Sequence, residues 1–315
     1  MTDFIDIREK LRDTHAEIER MQQEIGRQPD DPWLPAALLS LEQRQQHLEH
    51  AFGLATAERG EEIFSYRLVR EGTDSFPISV LGATLSHFQH FITILLDAVT
   101  TGPKEKGKVS REVTQKATMD FAYSFTGSLG LVFTVPNERL LLVDSDLELA
   151  VKGFYEMISS ETPAQVAEYA HKYGVAAVRK MYAWAEHHAK QSISADIAWR
   201  HGNEIRQETV LQARQAELLC DAIRSASDVT TKELSVRGVL RGGDTASRKF
   251  HLTFEEGEDI SGQLADDFSS DDPLTLDRVY DAQLTVFYKT EYAIEKEETW
   301  YELKHTKLVQ SEFGA

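Results

Sequence analysis

Seven positions near the start of the chain, Phe4, Ile7, Leu11, Thr14, Ile18, Met21 and Ile25, recur at alternating spacings of three and four. That repeat lays a stripe along one side of a helix. A second run, Leu34, Leu38, Leu41, Gln45, Leu48, Phe52 and Ala55, answers the first in reverse order. If the chain folds back across Pro29 to Pro32, Ile25 faces Leu34, Met21 faces Leu38 and Phe4 faces Ala55, with a single polar layer of Thr14 against Gln45. The pattern predicts an antiparallel coiled-coil hairpin over residues 1–58. Leu39 and Leu54, with Ala36 and Ala51, add apolar surface off the seam of the second helix. The second helix is therefore expected to dock on the body or another copy, leaving the first outermost and its stripe available as an oligomer interface.

After Gly60 the period changes to that of a strand, with Ile63, Tyr66 and Leu68 in EEIFSYRLV. A helix follows from Pro77, carrying Leu81, Leu85, Phe88, Ile92, Leu95 and Val99, and stops at Gly102-Pro103. ATMDFAYSF and LGLVFTVP read as a β-hairpin turning at Gly127-Ser128. Ser145 with Glu148, and Thr162 with Gln165, form two capping boxes that start helices. The run VAAVRKMYAWAEHHAK continues as helix, Ile193, Ala195, Ile197 and Trp199 alternate as a strand up to Gly202-Asn203, and helix returns over 211–225. Residues 61–227 thus read as an α+β domain.

Short alternating runs then fill residues 229–312, with turns at Gly242-Gly243-Asp244 and Glu256-Gly257 and later runs through Tyr292, Ile294, Tyr301 and Leu303. About five strands in so short a span predict a small SH3-like or OB-like β-barrel, since an open sheet of that size leaves bare edges.

The run VRGVLRGGDTASRKFHLTFEEGEDISGQL follows a helix, an edge hairpin ending in a Trp and a further helix. In this pattern, over residues 61–310, the chain resembles uncharacterised bacterial proteins that join an α+β domain to a C-terminal small β-barrel. The resemblance implies that fold, and it suggests a place in an anti-phage defence system.

Charge narrows the choice of partner. The formal net charge is −18, whereas nucleic-acid binding is driven by Lys and Arg displacing counterions, so nucleic acid is not an expected partner. Residues 229–315 hold 10 Lys and Arg against 18 Asp and Glu. A basic interval, Lys104, Lys106, Lys108, Arg111 and Lys116, has no apolar pattern and reads as a solvated, mobile loop. The charged N-terminus and the absence of a long uninterrupted apolar run point to a cytoplasmic chain without a membrane span. One cysteine, Cys220, excludes an internal disulfide and reads as a buried thiol.

Asp281 with Glu302-Leu303-Lys304 has the residue types of a metal-dependent nuclease, two carboxylates for Mg²⁺ and a lysine for the attacking water. Only eleven residues follow Lys304, too few to complete such a core, and acidic and basic residues alternate on strand faces throughout this region. Asp144, Asp146 and Glu148 sit where carboxylates offset a helix dipole. His87 and His90 are a turn apart but lie toward the polar side of their helix, and His187-His188 read as helix-end residues. Gly238, Gly242 and Gly243 lack the following helix that a phosphate loop requires. Trp199, Phe287, Tyr288, Tyr292, Trp300 and Tyr301 remain as the aromatic set for a binding face. The expectation is a non-enzymatic interaction or assembly protein with a protein partner and no cofactor or metal. The alternatives are the nuclease and an acidic decoy imitating DNA.

Overall fold

The computed structural model describes residues 2–73, 75–125, 129–137, 144–244, 246–255, 257–271, 273–293 and 297–309. The chain is mixed helix and sheet and divides into two compact units, Met1–Ser225 and Ala226–Ala315. The helical hairpin belongs to the first unit together with the α+β body.

In that unit, α1 (Thr2–Arg27) and α2 (Leu34–Glu58) form the antiparallel hairpin. Strands β1 (Glu61–Arg70), β2 (Asp120–Phe125), β3 (Leu129–Pro136), β4 (Ile193–His201) and β5 (Glu204–Leu211) form an antiparallel sheet in the order β2-β3-β1-β4-β5. The expected turn at Gly127-Ser128 lies outside the described residues, but β2 and β3 pair as that hairpin predicts. Alternation along β1 divides the core in two. Phe64 and Tyr66 face Phe88 of α3 (Ile78–Thr101), with ring centroids 6.0 and 4.7 Å away. Ile63 points the other way, into a cluster with Leu11, Phe52, Ala122, Tyr123 and Val132.

The hairpin therefore covers one face of the sheet, and α3, α5 (Asp146–Ile158) and α7 (Val175–Gln191) build the other side. Both hairpin helices dock, α1 on β2 and α2 on β1 and β4. This corrects the expectation that the first helix stays outermost. Leu11, Thr14 and Ile18 are buried, while the off-seam Leu39 and Leu54 are more than half exposed. Phe4 stacks on Phe52, with centroids 5.4 Å apart, where Ala55 was expected opposite it. The polar layer does not close either. Gln45 Nε2 donates to Glu49 at 2.8 Å, and Thr14 Oγ1 has no hydrogen-bond partner among the described residues.

Helix α3 is buried on every side from Phe91 to Ala98. Among the described residues it is the one helix long and apolar enough to cross a membrane, a property shared by the central helix of a globular core. Both capping boxes form. Glu148 N donates to Ser145 Oγ at 3.1 Å and Ser145 N to Glu148 Oε2 at 2.8 Å; Thr162 and Gln165 do the same at the start of α6 (Pro163–Tyr173). The basic interval is not a loose loop. Lys104 Nζ pairs with buried Asp97 at 2.6 Å, Ala176 N donates to Lys104 O at 3.0 Å, and Arg179 donates to Glu105 O at 3.1 Å. Ser110 then caps the short helix α4 (Arg111–Lys116). Helix α8 (Ala213–Ser225) buries Cys220, whose thiol burial pushes up to about 11.

The second unit is a closed five-stranded barrel of β6 (Ser227–Asp244), β7 (Lys249–Phe254), β8 (Asp259–Ser270), β9 (Arg278–Glu291) and β10 (Glu297–Leu308). The ring order β10-β8-β7-β6-β9, with β10 and β8 parallel and the other pairs antiparallel, is the OB-type arrangement of the two types anticipated. Leu240, Phe250, Leu252, Tyr280, Leu284 and Leu303 fill its interior. Gly262 permits the closing pair, because a Cβ there would run into the Tyr301 carbonyl oxygen and the Phe250 ring. Gly242 and Gly243 continue β6 beyond a register shift instead of forming the turn. Asp244 begins that turn, accepting from Ala246 N at 2.8 Å.

Candidate functional site

Strand alternation sorts the barrel aromatics. Tyr292 is 1% exposed, and Tyr301 packs against the interior cluster beside fully buried Leu303. Tyr288 is half-buried. Phe287 and Trp300 behave differently, being directly opposite each other across β9 and β10. Their rings stack with centroids 5.1 Å apart and planes only 4° from parallel, and Trp300 remains 40% exposed. Because Leu303 and Tyr301 point inward, Trp300 and Glu302 share the outer face. On β6, Thr231 lies opposite Phe287, two positions from Val229, which is 47% exposed. The outer wall over β6, β9 and β10 thus carries a flat aromatic pair beside an apolar neighbour.

Trp199 does not join this set. It lies in the sheet of the first unit, 2% exposed, and its indole Nε1 donates to Glu62 Oε2 at 2.9 Å. Glu62 is itself fully buried, and its Oε1 accepts from Asn137 Nδ2 at 2.8 Å and His201 Nδ1 at 3.0 Å. Three donors hold this carboxylate in the core, a structural use of a tryptophan that alternation alone offered as a binding residue.

The residues of the nuclease reading are dispersed. Asp281 is held by Arg237 through two bonds, Nε at 2.7 Å and Nη2 at 3.2 Å, and its carboxyl lies below the usual range through that pairing. Its neighbour across β10 is Lys307, whereas Glu302 lies opposite Thr285 farther along the ladder. Lys304 Nζ bonds Glu233 at 2.9 Å. Asp281, Glu302 and Lys304 therefore do not converge, and among the described residues no three His, Cys, Asp or Glu side chains are placed to hold a metal ion.

The acidic start of α5 is occupied by structure: Asp144 pairs with Lys152 at 2.6 Å, and Asp146 accepts from Thr100 at 3.3 Å. His90 is exposed, while His87 and His187 face each other across α3 and α7 with centroids 5.3 Å apart. His188, expected at an ordinary helix end, is fully buried. The sign missed in the sequence was its neighbour Trp184, one helical turn earlier on an inward-facing stripe.

The oligomer stripe divides along its length. Leu11, Thr14 and Ile18 are buried, Leu11 in a cluster with sheet residues Tyr123 and Val132, whereas Met21 and Ile25, with Leu34, Leu38 and Leu41 of α2, stay half-exposed. A groove of about 620 Å³ runs beside this distal half, lined by Glu17, Arg20, Met21, Leu34, Ala37 and Leu41 among others. Trp33, at the hairpin tip, is 79% exposed.

No protein family matches the chain, and no curated protein matches it. Among solved structures it is similar to the crystal structure of Ag(I)CusF, at 12% identity and a TM-score of 0.17, over 25% of this chain and 99% of that one. A likeness that slight carries no functional argument.

Proposed function

We propose that the chain is a non-enzymatic assembly protein of the cytoplasm, self-associating through the distal half of its α1–α2 hairpin and presenting the outer barrel wall to a protein partner. The observation that carries this reading is the change in burial along the hairpin. Leu11, which packs with Tyr123 and Val132 of the sheet, and Ile18 are 0% and 4% exposed; farther along the hairpin Met21, Ile25, Leu34, Leu38 and Leu41 are half open among the described residues. A second hairpin supplies the missing layer, turning two helices into four, the usual way such a stripe is completed. A two-fold pairing sets each groove against its own copy.

Light scattering on the full chain tests the assignment. The expected result is a dimer that Leu34→Glu with Leu41→Glu converts to a monomer that still unfolds in one cooperative transition, at a temperature lowered by the loss of association. A monomeric wild-type chain at high micromolar concentration would sink it.

A further inference from the structure

Trp33 stands at the turn between α1 and α2 and is 79% exposed. Its indole makes no hydrogen bond or ring contact among the described residues. The backbone that carries it is nonetheless held. Trp33 N donates to Asp31 Oδ1 at 2.9 Å, and Ala37 N donates to Trp33 O at 3.0 Å. Pro32 and Pro35 restrict the chain on either side. A stiff turn thus presents a large apolar side chain to solvent, with little backbone freedom left for binding to remove.

The groove beside the distal half of the hairpin begins one residue away, at Leu34. Met21, Leu34, Ala37 and Leu41 give it apolar walls, and Trp33 is not among its lining residues, so the indole lies outside the groove of its own chain. The groove is short. Leu34 to Leu41 spans about 10 Å of helix and two helices measure about 20 Å across, a footprint well below the ~800 Å² that each partner gives to a standard interface. A dimer on so little area needs a concentrated anchor, and tryptophan is among the residues most enriched in that role.

We infer that Trp33 is this anchor and that its receptor is the groove of a second copy, each hairpin tip inserting its indole beside Met21 and Leu41 of the other. The inference rests on the assembly reading and gives its geometry, two hairpins overlapping tip past tip about a two-fold axis. An overlap equal to the open stretch sets Trp33, one residue beyond Leu34, level with Leu41 of the other copy. Hairpins joined with their tips together bring the two Trp33 side chains against each other instead, and leave the Leu41 end of both grooves empty.

The experiment follows sedimentation and tryptophan emission of the full chain over a dilution series. Trp184 and Trp199 are buried, so the difference between wild type and Trp33→Phe isolates the emission of the hairpin tip. That emission is expected to move to the blue as the dimer forms. Trp33→Ala is expected to weaken the dimer by about tenfold or more, while Trp33→Phe keeps most of the affinity. Both variants alter a solvated turn, so their melting temperatures as dilute monomers should match the wild type. In oxidised mixtures, Trp33→Cys chains are expected to cross-link to Leu41→Cys chains in preference to each other.

Unchanged dimerisation of Trp33→Ala, a tip emission that ignores concentration, or Trp33→Cys chains that cross-link mainly to each other overturns the inference. The two proposals fail in different ways. A dimer indifferent to Trp33→Ala keeps the assembly reading and removes this one, whereas a wild-type chain that stays monomeric at high micromolar concentration removes both.

Discussion

The hydroxyl of Tyr66 lies 2.6 Å from Nε2 of His188, and both side chains are fully buried. His188 Nδ1 is 2.9 Å from the Ile193 carbonyl oxygen, which only accepts, so Nδ1 carries the proton and Nε2 accepts from Tyr66. Trp184 Nε1 donates to the same hydroxyl at 3.0 Å. The chain of bonds is complete only with a neutral imidazole. Burial, the main cause, lowers the His188 pKa from 6.5 to about 4.

Stability should therefore depend on pH with a definite sign. The unfolded chain takes up a proton at His188 near pH 6.5 and the folded chain only near 4, so this contribution is whole above 6.5 and is lost as pH falls toward 4. The loss amounts to about 3 kcal/mol across that window. Urea midpoints measured through this range should fall steeply in the wild type and much less in His188→Gln. An equal slope in both would assign the acid sensitivity elsewhere.

Docking of the first helix is tested by comparing two leucines. Leu11 is fully buried between α2 and the sheet, so Leu11→Ala should cost about 3 kcal/mol. Leu39 is 56% exposed, and Leu39→Ala should change stability by less than about 0.5 kcal/mol. Reversal of this order in chemical denaturation would place α2, not α1, as the more deeply docked helix.

Thr14 offers a substitution expected to stabilise. Its hydroxyl is buried with no hydrogen-bond partner among the described residues, and such a group costs about 1–3 kcal/mol of desolvation. Thr14→Val keeps the branched shape and removes the cost, so the melting temperature should rise. A fall would mean that the hydroxyl is satisfied in solution.

At the opposite end of β1, Trp199→Phe removes one of the three donors to Glu62 while filling most of the space. The buried carboxylate oxygen left behind should cost about 1–3 kcal/mol. The double variant Trp199→Phe, Glu62→Gln should recover part of that loss, as a double-mutant cycle would read directly.

The hairpin, the capped helices and most strands are legible in the sequence because each depends on residues within one or two turns of each other. The docking of α1 is not, since Leu11 owes its burial to Tyr123 and Val132 on strands far along the chain. Trp199 and His188 fail for the same reason. Their partners Glu62 and Tyr66 are 137 and 122 residues away. In the barrel, alternation identified the aromatic strands, but only the β9–β10 register showed that Phe287 and Trp300 meet face to face. That register likewise separates Asp281 from Glu302, a distance invisible to a motif.

The parallel pairing of β10 with β8 is short, and its extent sets where the barrel is closed. It joins the last strand to the third at Glu302–Leu303 and His305–Thr306, closing the ring at that level, whereas residues 227–237 of β6 and 297–301 of β10 ladder with β9 alone. The ring is thus sealed where β7 and β8 take part, and the three-stranded extension of β6, β9 and β10 carries the Phe287–Trp300 stack beyond it. Outward residues of that extension can therefore be exchanged without touching the interior that Leu240, Leu252, Leu284 and Leu303 fill, so its surface chemistry and its fold are separable.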